Sequence, residues 1–203
     1  MKKLILASNN KKKIKELKEI LSDIPVEVRS LSDENINIDV VEDGSTFEEN
    51  AKKKAKEIYE FLKSRGEKNF IVLSDDSGLE VDALHGRPGV YSARYAGEGR
   101  DDQANIKKVL SELEGIPTEQ RGARFVCALA LVTPEGEESV VRGTCEGQIL
   151  TECLGSEGFG YDPIFYLPEL EKTMAQIPKH QKNVLSHRAD AFAKLQTILM
   201  NLV

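Results

Sequence analysis

Two adjacent carboxylates, Asp75 and Asp76, follow the apolar run Phe70-Ile71-Val72-Leu73, and chemistry would concentrate there. The run is short and rich in β-branched and aromatic residues, the pattern of a strand inside a sheet. The spacing therefore predicts a strand that ends at Ser74-Asp75-Asp76-Ser77-Gly78. Carboxylates fixed at such an end lose hydration unless a cation or hydrogen-bond donors compensate, which points to a hard metal such as Mg²⁺. The same letters also spell a turn, because Asp-Ser-Gly commonly forms Asx-type turns between strands. Other segments have to decide.

Four do so. Ser8-Asn9-Asn10-Lys11-Lys12-Lys13 lies between a strand pattern and a helix pattern, where backbone N–H groups and a lysine can meet an anion at a helix N-terminus. It lacks the glycines of a Walker A loop, and an ordinary cap with solvated lysines has the same letters. Glu42 and Asp43 precede a helix carrying Lys52, Lys53 and Lys54, so a metal ligand and a phosphate clamp could come from one stretch; a solvated lysine face is the plainer reading. Glu157-Gly158-Phe159-Gly160-Tyr161-Asp162-Pro163 sets an aromatic between two glycines, a platform on which a nucleobase could stack. Lys182 and Ser186-His187-Arg188 place cations at the start of the last helix, against its macrodipole, which an anionic or acceptor-rich ligand would offset.

These residues need a frame. Lys3 to Ala7 reads as a strand, and Ile14, Leu17, Ile20 and Leu21 recur at helical spacing after it. Val26 to Leu31 reads as a second strand. Either Ser45 with Glu48 or Thr46 with Glu49 fits a capping box for a helix ending near Gly66. An irregular loop runs from His85 to Gly97, and a helix through Ile106, Val109, Leu110 and Leu113 follows. Arg124 to Thr133 and Ser139 to Leu150 read as an antiparallel hairpin turned by Pro134-Glu135-Gly136, which makes the sheet mixed. A glycine-rich loop spans Gly155 to Tyr166, and Ser186 opens a final helix striped by Phe192, Leu195, Leu199 and Leu202.

Composition narrows the function classes. The chain has 203 residues, enough for one domain with a substantial core, and shows no repeat or linker. A net charge of −6 argues against a nucleic-acid binder, so any nucleic partner should be small. Cys127, Cys145 and Cys153 are odd in number and lack CxxC spacing, which supports neither a disulfide framework nor a cysteine zinc site. No apolar stretch is long enough to span a bilayer, and the apolar start before Ser8 is too short for a signal peptide, so the expected location is the cytoplasm, with no membrane partner.

Taken in order, the segments closely resemble the ITPase (inosine triphosphate pyrophosphatase, Ham1-like) family, in particular its bacterial members. The resemblance rests on Leu6-Ala7-Ser8-Asn9-Asn10 with Lys13, Thr46-Phe47-Glu48-Glu49-Asn50-Ala51 with Lys54, and Asp75-Asp76-Ser77-Gly78-Leu79. It continues through Gly89-Val90-Tyr91-Ser92-Ala93-Arg94-Tyr95, Gly158-Phe159-Gly160-Tyr161-Asp162-Pro163 and Ser186-His187-Arg188. It departs from many members at Ser8-Asn9, where they have Thr-Gly.

The resemblance implies one elongated mixed α/β domain over residues 1–203, its two lobes flanking a nucleotide cleft, in a homodimer. It implies hydrolysis of dITP, ITP and XTP or dXTP to the monophosphate and pyrophosphate with Mg²⁺, which clears deaminated purines from the nucleotide pool. By position, Ser8, Asn9, Asn10, Lys11, Lys12 and Lys13 would hold the triphosphate, with Lys54 a second phosphate ligand. Glu42 and Asp76 would hold Mg²⁺, with Asp76 also the proton acceptor, and Ser77 would contact the nucleotide. Phe159, Gly160, Tyr161, Asp162, Lys182, His187 and Arg188 would line the base and sugar pocket. Donors from His187-Arg188 aimed at the purine 6-position would accept a keto group and reject the amino group of adenine. Two rivals keep the same residues: a nucleotide sensor without turnover, and a related enzyme acting on pyrimidine or modified nucleotides.

Overall fold

A computed structural model describes residues 2–203. Among them, β1 (Lys2–Leu6), β2 (Val26–Ser30), β3 (Phe70–Val81), β4 (Gly122–Val132), β5 (Glu138–Ile149), β6 (Phe165–Leu167) and β7 (Lys172–Thr173) form one sheet in the order β2-β1-β3-β4-β5-β6-β7. The pairing is mixed. β1 runs parallel to both β2 and β3, with Leu4 opposite Val28 and Ile71, whereas β6 is antiparallel to β5 and β7. Leu4, Ile5, Leu6 and Ala7 are all buried, which is why β1 reads as an unbroken apolar run rather than an alternating one.

Among the described residues, five α-helices accompany the sheet: α1 (Lys11–Ile20), α2 (Phe47–Ser64), α3 (Asp102–Glu112), α4 (Lys179–Leu185) and α5 (His187–Leu202). Local chemistry sets where the first three start. Asn10 caps α1, accepting from the Lys12 and Lys13 amides, and Asp101 caps α3 through the Gln103 and Ala104 amides. At α2 the Thr46–Glu49 option is the one that forms: Thr46 accepts from the Glu49 amide, and the Glu49 carboxylate reaches back to the Ser45 amide and hydroxyl. None of the helices is long and apolar enough to cross a membrane, among the described residues.

The fold divides into two compact units, each assembled from separated stretches of chain. The first comprises the chain up to Asp76 with Cys127–Gly143 and Arg188–Val203. Its core packs Leu4 and Leu6 of β1, Leu17 and Leu21 at α1, Ile71 and Leu73 of β3, and Leu195 and Leu199 of α5. The second comprises Ser77–Val126 and Thr144–His187, with a core including Leu79, Val81, Ile106, Val109, Phe165 and Met174.

The strand does not end at Leu73 in an Asp-Ser-Gly turn; β3 continues, extended, through Asp75, Asp76 and Ser77 to Val81. Apolar burial resumes at Leu79 and Val81, so the polar residues lie in mid-strand and not at a terminus. Gly78 is needed for close packing rather than for turning. A Cβ there would lie 2.4 Å from the Ser92 hydroxyl and 2.8 Å from the Gly89 carbonyl oxygen.

Candidate active site

In the first unit, α1, α2, β3 and the start of α5 bring Lys13, Glu16, Lys54, Asp75, Asp76 and Arg188 together, with Glu42 from the loop before α2. Asp75, fully buried, receives Lys13 Nζ on Oδ1 at 2.7 Å and Arg188 Nε on Oδ2 at 2.9 Å. The Cys127 thiol also reaches Oδ2, at 3.1 Å. Arg188 extends the network to Glu16, Nη1 to Oε2 at 3.3 Å. Burial alone would favour the neutral acid, yet the charges of Arg188 and Lys13 outweigh it and hold Asp75 well below the usual carboxylate range. Burial likewise opposes the charge on Arg188, but Asp75 and Glu16 keep the guanidinium firmly protonated. Buried charges of this kind persist only when paired, and here every charge has an opposite neighbour.

Asp76, the next residue, is placed differently. Burial pushes its carboxyl up to about 6; the nearby Lys13 opposes this, the charge of Glu42 reinforces it, and Lys54 and an Asn50 hydrogen bond moderate it. Lys54 is buried on the inner face of α2, where its ammonium donates to Glu42 and to the Asp75 carbonyl at 3.0 Å. Lys52 and Lys53 turn outward to Glu138 and Asp43, so the helix period selects Lys54 from the lysine run. Asn50 ties this corner together, accepting from the Gly44 amide at 2.7 Å. A Cβ on Gly44 would fall 2.7 Å from that same Asn50 oxygen. Two carboxylates, Glu42 and Asp76, thus flank a point where like charge accumulates. That donor set suits Mg²⁺ at a triphosphate, which takes one or two carboxylates and completes its shell with phosphate oxygens and water. No group of three or more metal-ligating side chains occurs among the described residues.

The loop before α1 is partly committed to itself. The Ser8 hydroxyl accepts from the Asn10 amide at 3.2 Å, and Asn9 donates to the Ile38 carbonyl at 3.1 Å. Asn9 takes no positive φ, so the asparagine fits without left-handed strain. Lys11 and Lys12 are exposed while Lys13 turns to Asp75. Lys11 borders a groove of about 550 Å³ that Ser8 and Asn9 also line, together with Lys15, Lys18 and Ser30. Successive lysines on a helix diverge, so the three do not act as one cluster.

In the second unit, the segment around Phe159 is held by carboxylates. Asp162 Oδ2 accepts from the Phe159 amide at 3.0 Å and from Lys182 Nζ at 2.7 Å, and that ammonium lies 4.7 Å from the centroid of the Phe159 ring. Tyr161 donates its hydroxyl to the Ser92 carbonyl at 2.7 Å. Gly158 has a φ of +76°, and a Cβ would sit 1.9 Å from Asp162 Oδ2. His187 is buried, its ring stacked 5.0 Å from that of Phe125. Ser77, half-buried on β3, opens this unit.

The expected site residues therefore fall into two groups: Ser8, Asn9, Asn10, Lys11, Lys12, Lys13, Glu42, Lys54, Asp76 and Arg188 in the first unit, and Ser77, Phe159, Gly160, Tyr161, Asp162, Lys182 and His187 in the second. Arg188, expected beside the base, is 1% exposed and carries its guanidinium to Asp75 and Glu16. Sequence reasoning passed over Glu16, although a charge next to Leu17 on the buried face of an amphipathic helix is itself a signal. It also gave no role to Asn50 or Asp102.

The model of the Ham1 family matches residues 4–198. A protein of Clostridium perfringens named dITP/XTP pyrophosphatase is 52% identical over 203 residues, covering all of both chains. One of the same name from Bacillus subtilis is 52% identical over 98% of each. Among solved structures, the Ham1 protein of Staphylococcus aureus superimposes with a TM-score of 0.86 at 46% identity, over 98% of this chain and 99% of that one.

Proposed function

This chain belongs to the Ham1 family, and from that premise we propose that it hydrolyses dITP, ITP and XTP or dXTP to the monophosphate and pyrophosphate. The observation that supports this most directly is the first unit's cluster, in which two lysines and two carboxylates meet in a largely buried corner. Lys13 and Lys54 offer cationic donors to phosphate oxygens and to the charge that develops on the pyrophosphate leaving group. Glu42 and Asp76 would hold Mg²⁺, which when bound supplies Lewis-acid stabilisation of that charge. Asp76 accepts the proton of the attacking water at a carboxylate oxygen; burial and the charge of Glu42 raise that carboxyl while no cation is bound.

The base is read by the second unit. Phe159 supplies a stacking face, its amide and the Lys182 ammonium both fixed by Asp162. Lys182 and His187 are the cationic and imidazole donors suited to a 6-keto purine, and adenine would turn an amino donor against them. Arg188 enters through Asp75, which it holds in the charged form beside Lys13. The same reading places the protein in the cytoplasm as a homodimer, the latter checked by sedimentation.

Product chromatography after incubation with Mg²⁺ and dITP, XTP, dGTP or dATP tests the reaction. Monophosphate plus pyrophosphate from dITP and XTP alone is expected. Orthophosphate with a diphosphate, or tight binding without turnover, would overturn it.

A further inference from the structure

Two acids open α3, and only one is required there. Asp101 completes the cap, accepting from the Gln103 amide at 2.9 Å and the Ala104 amide at 3.2 Å. Asp102 turns Oδ2 to the Gly160 amide, 3.0 Å away and 58 residues further along the chain. Gly160 has a φ of +61°, and nothing lies within 4 Å of where its Cβ would stand. The turn is held locally by the Asp162 amide donating to the Phe159 carbonyl at 3.3 Å, and the bond to Asp102 ties its Gly160 peptide to α3. The preceding amide, that of Phe159, is taken by Asp162. Consecutive amides on either side of the Phe159 Cα–C unit are thus each held by a carboxylate, which fixes the backbone from which the ring projects, with the Lys182 ammonium 4.7 Å from its centroid. A charged acceptor is the stronger choice for such a bond. The charge of Asp102 is felt next door too: burial, Tyr95 and Asp102 together raise the Tyr161 phenol.

We propose that Asp102 is a positioning residue for the nucleobase, holding the Gly160 peptide so that the Phe159 ring is set before substrate arrives. This rests on the reading of Phe159 as the stacking face given above. A ring already ordered loses less freedom on binding, so the effect belongs to affinity rather than to the chemical step.

Steady-state kinetics with dITP and amide exchange of Gly160 by NMR test this together on Asp102→Ala and Asp102→Asn. The alanine variant should raise KM about ten-fold with kcat within about two-fold, and should speed Gly160 exchange. Asparagine keeps an acceptor oxygen and should recover both to within about three-fold of wild type. Asp102→Ser carries the alanine expectation should that variant not fold. Unchanged Gly160 exchange in the alanine variant would remove the clip itself, and faster exchange with an unaltered KM would remove the positioning role. A wild-type chain that does not cleave dITP would defeat the proposed function, and the exchange measurement would still report on the clip.

Discussion

Asp76 is a carboxylate in a place that disfavours its charge. Its folded value of about 6 lies above the ordinary 3.8, so the native state holds a proton that the unfolded chain has released across that window. Stability therefore falls as pH rises from about 4 to 6, and at neutral pH the ionised group costs on the order of 1–3 kcal/mol in the absence of a cation. Asp76→Asn should raise the calorimetric melting midpoint of the chelator-treated protein at pH 7.5 while nearly abolishing turnover, the trade expected at a functional site. Mg²⁺ should then raise the wild-type midpoint more than that of the variant; equal gains would take Asp76 out of the metal site. The neighbouring Asp75 carries the same letter with the opposite physics. Its partners Arg188 and Lys13 lie far from it in sequence, 113 residues away in the case of Arg188, and no local pattern announces them. Sequence reasoning found the acids at 75 and 76 but not which one is neutralised.

At the scale of elements, periodicity sufficed wherever one face was buried. The first strands, α1, α2 and the last helix lie where apolar spacing put them, because each packs a stripe into a core. It failed at β3, where an apolar run gave way to Asp-Asp-Ser-Gly and the strand nevertheless continued into the second core. β6, β7 and α4 escaped notice because two to seven residues are too few to establish a period. The Phe159 loop was legible through its glycines, and its geometry now ranks them. At Gly158 any side chain meets both a left-handed φ and the Asp162 carboxylate, whereas Gly160 has open space around it. Gly158→Ala should therefore displace Asp162, release Lys182 and raise the KM for dITP at least ten-fold, an estimate of order from losing a charged hydrogen bond. A thermal midpoint within a few degrees of wild type would confirm that the loss is local. An unaltered KM would count against the loop as the base site.

Over the whole molecule, the two units are interleaved along the chain, and nothing in composition marks where one gives way to the other. The last sixteen residues belong with the first seventy-six, since Ala191, Phe192, Leu195 and Leu199 of α5 complete the core built on β1 and α1. Burial of a large aliphatic or aromatic side chain contributes about 1.5–3 kcal/mol, so losing this set rivals the total stability of a typical domain. A chain truncated after His187 should leave the β1 amides without exchange protection; protected β1 amides would show that the first core closes without α5. The same core contains a thiol that can serve as its stopwatch. Cys127 on β4 is fully buried, and burial together with the Asp75 charge pushes its thiol well above the ordinary range, so the reactive thiolate is suppressed while the core is shut. Cys153, by contrast, stands exposed. An alkylating reagent should therefore mark Cys153 at once and Cys127 only at the pace at which the first unit's core opens, so that the chain carries its own clock for the lifetime of that core.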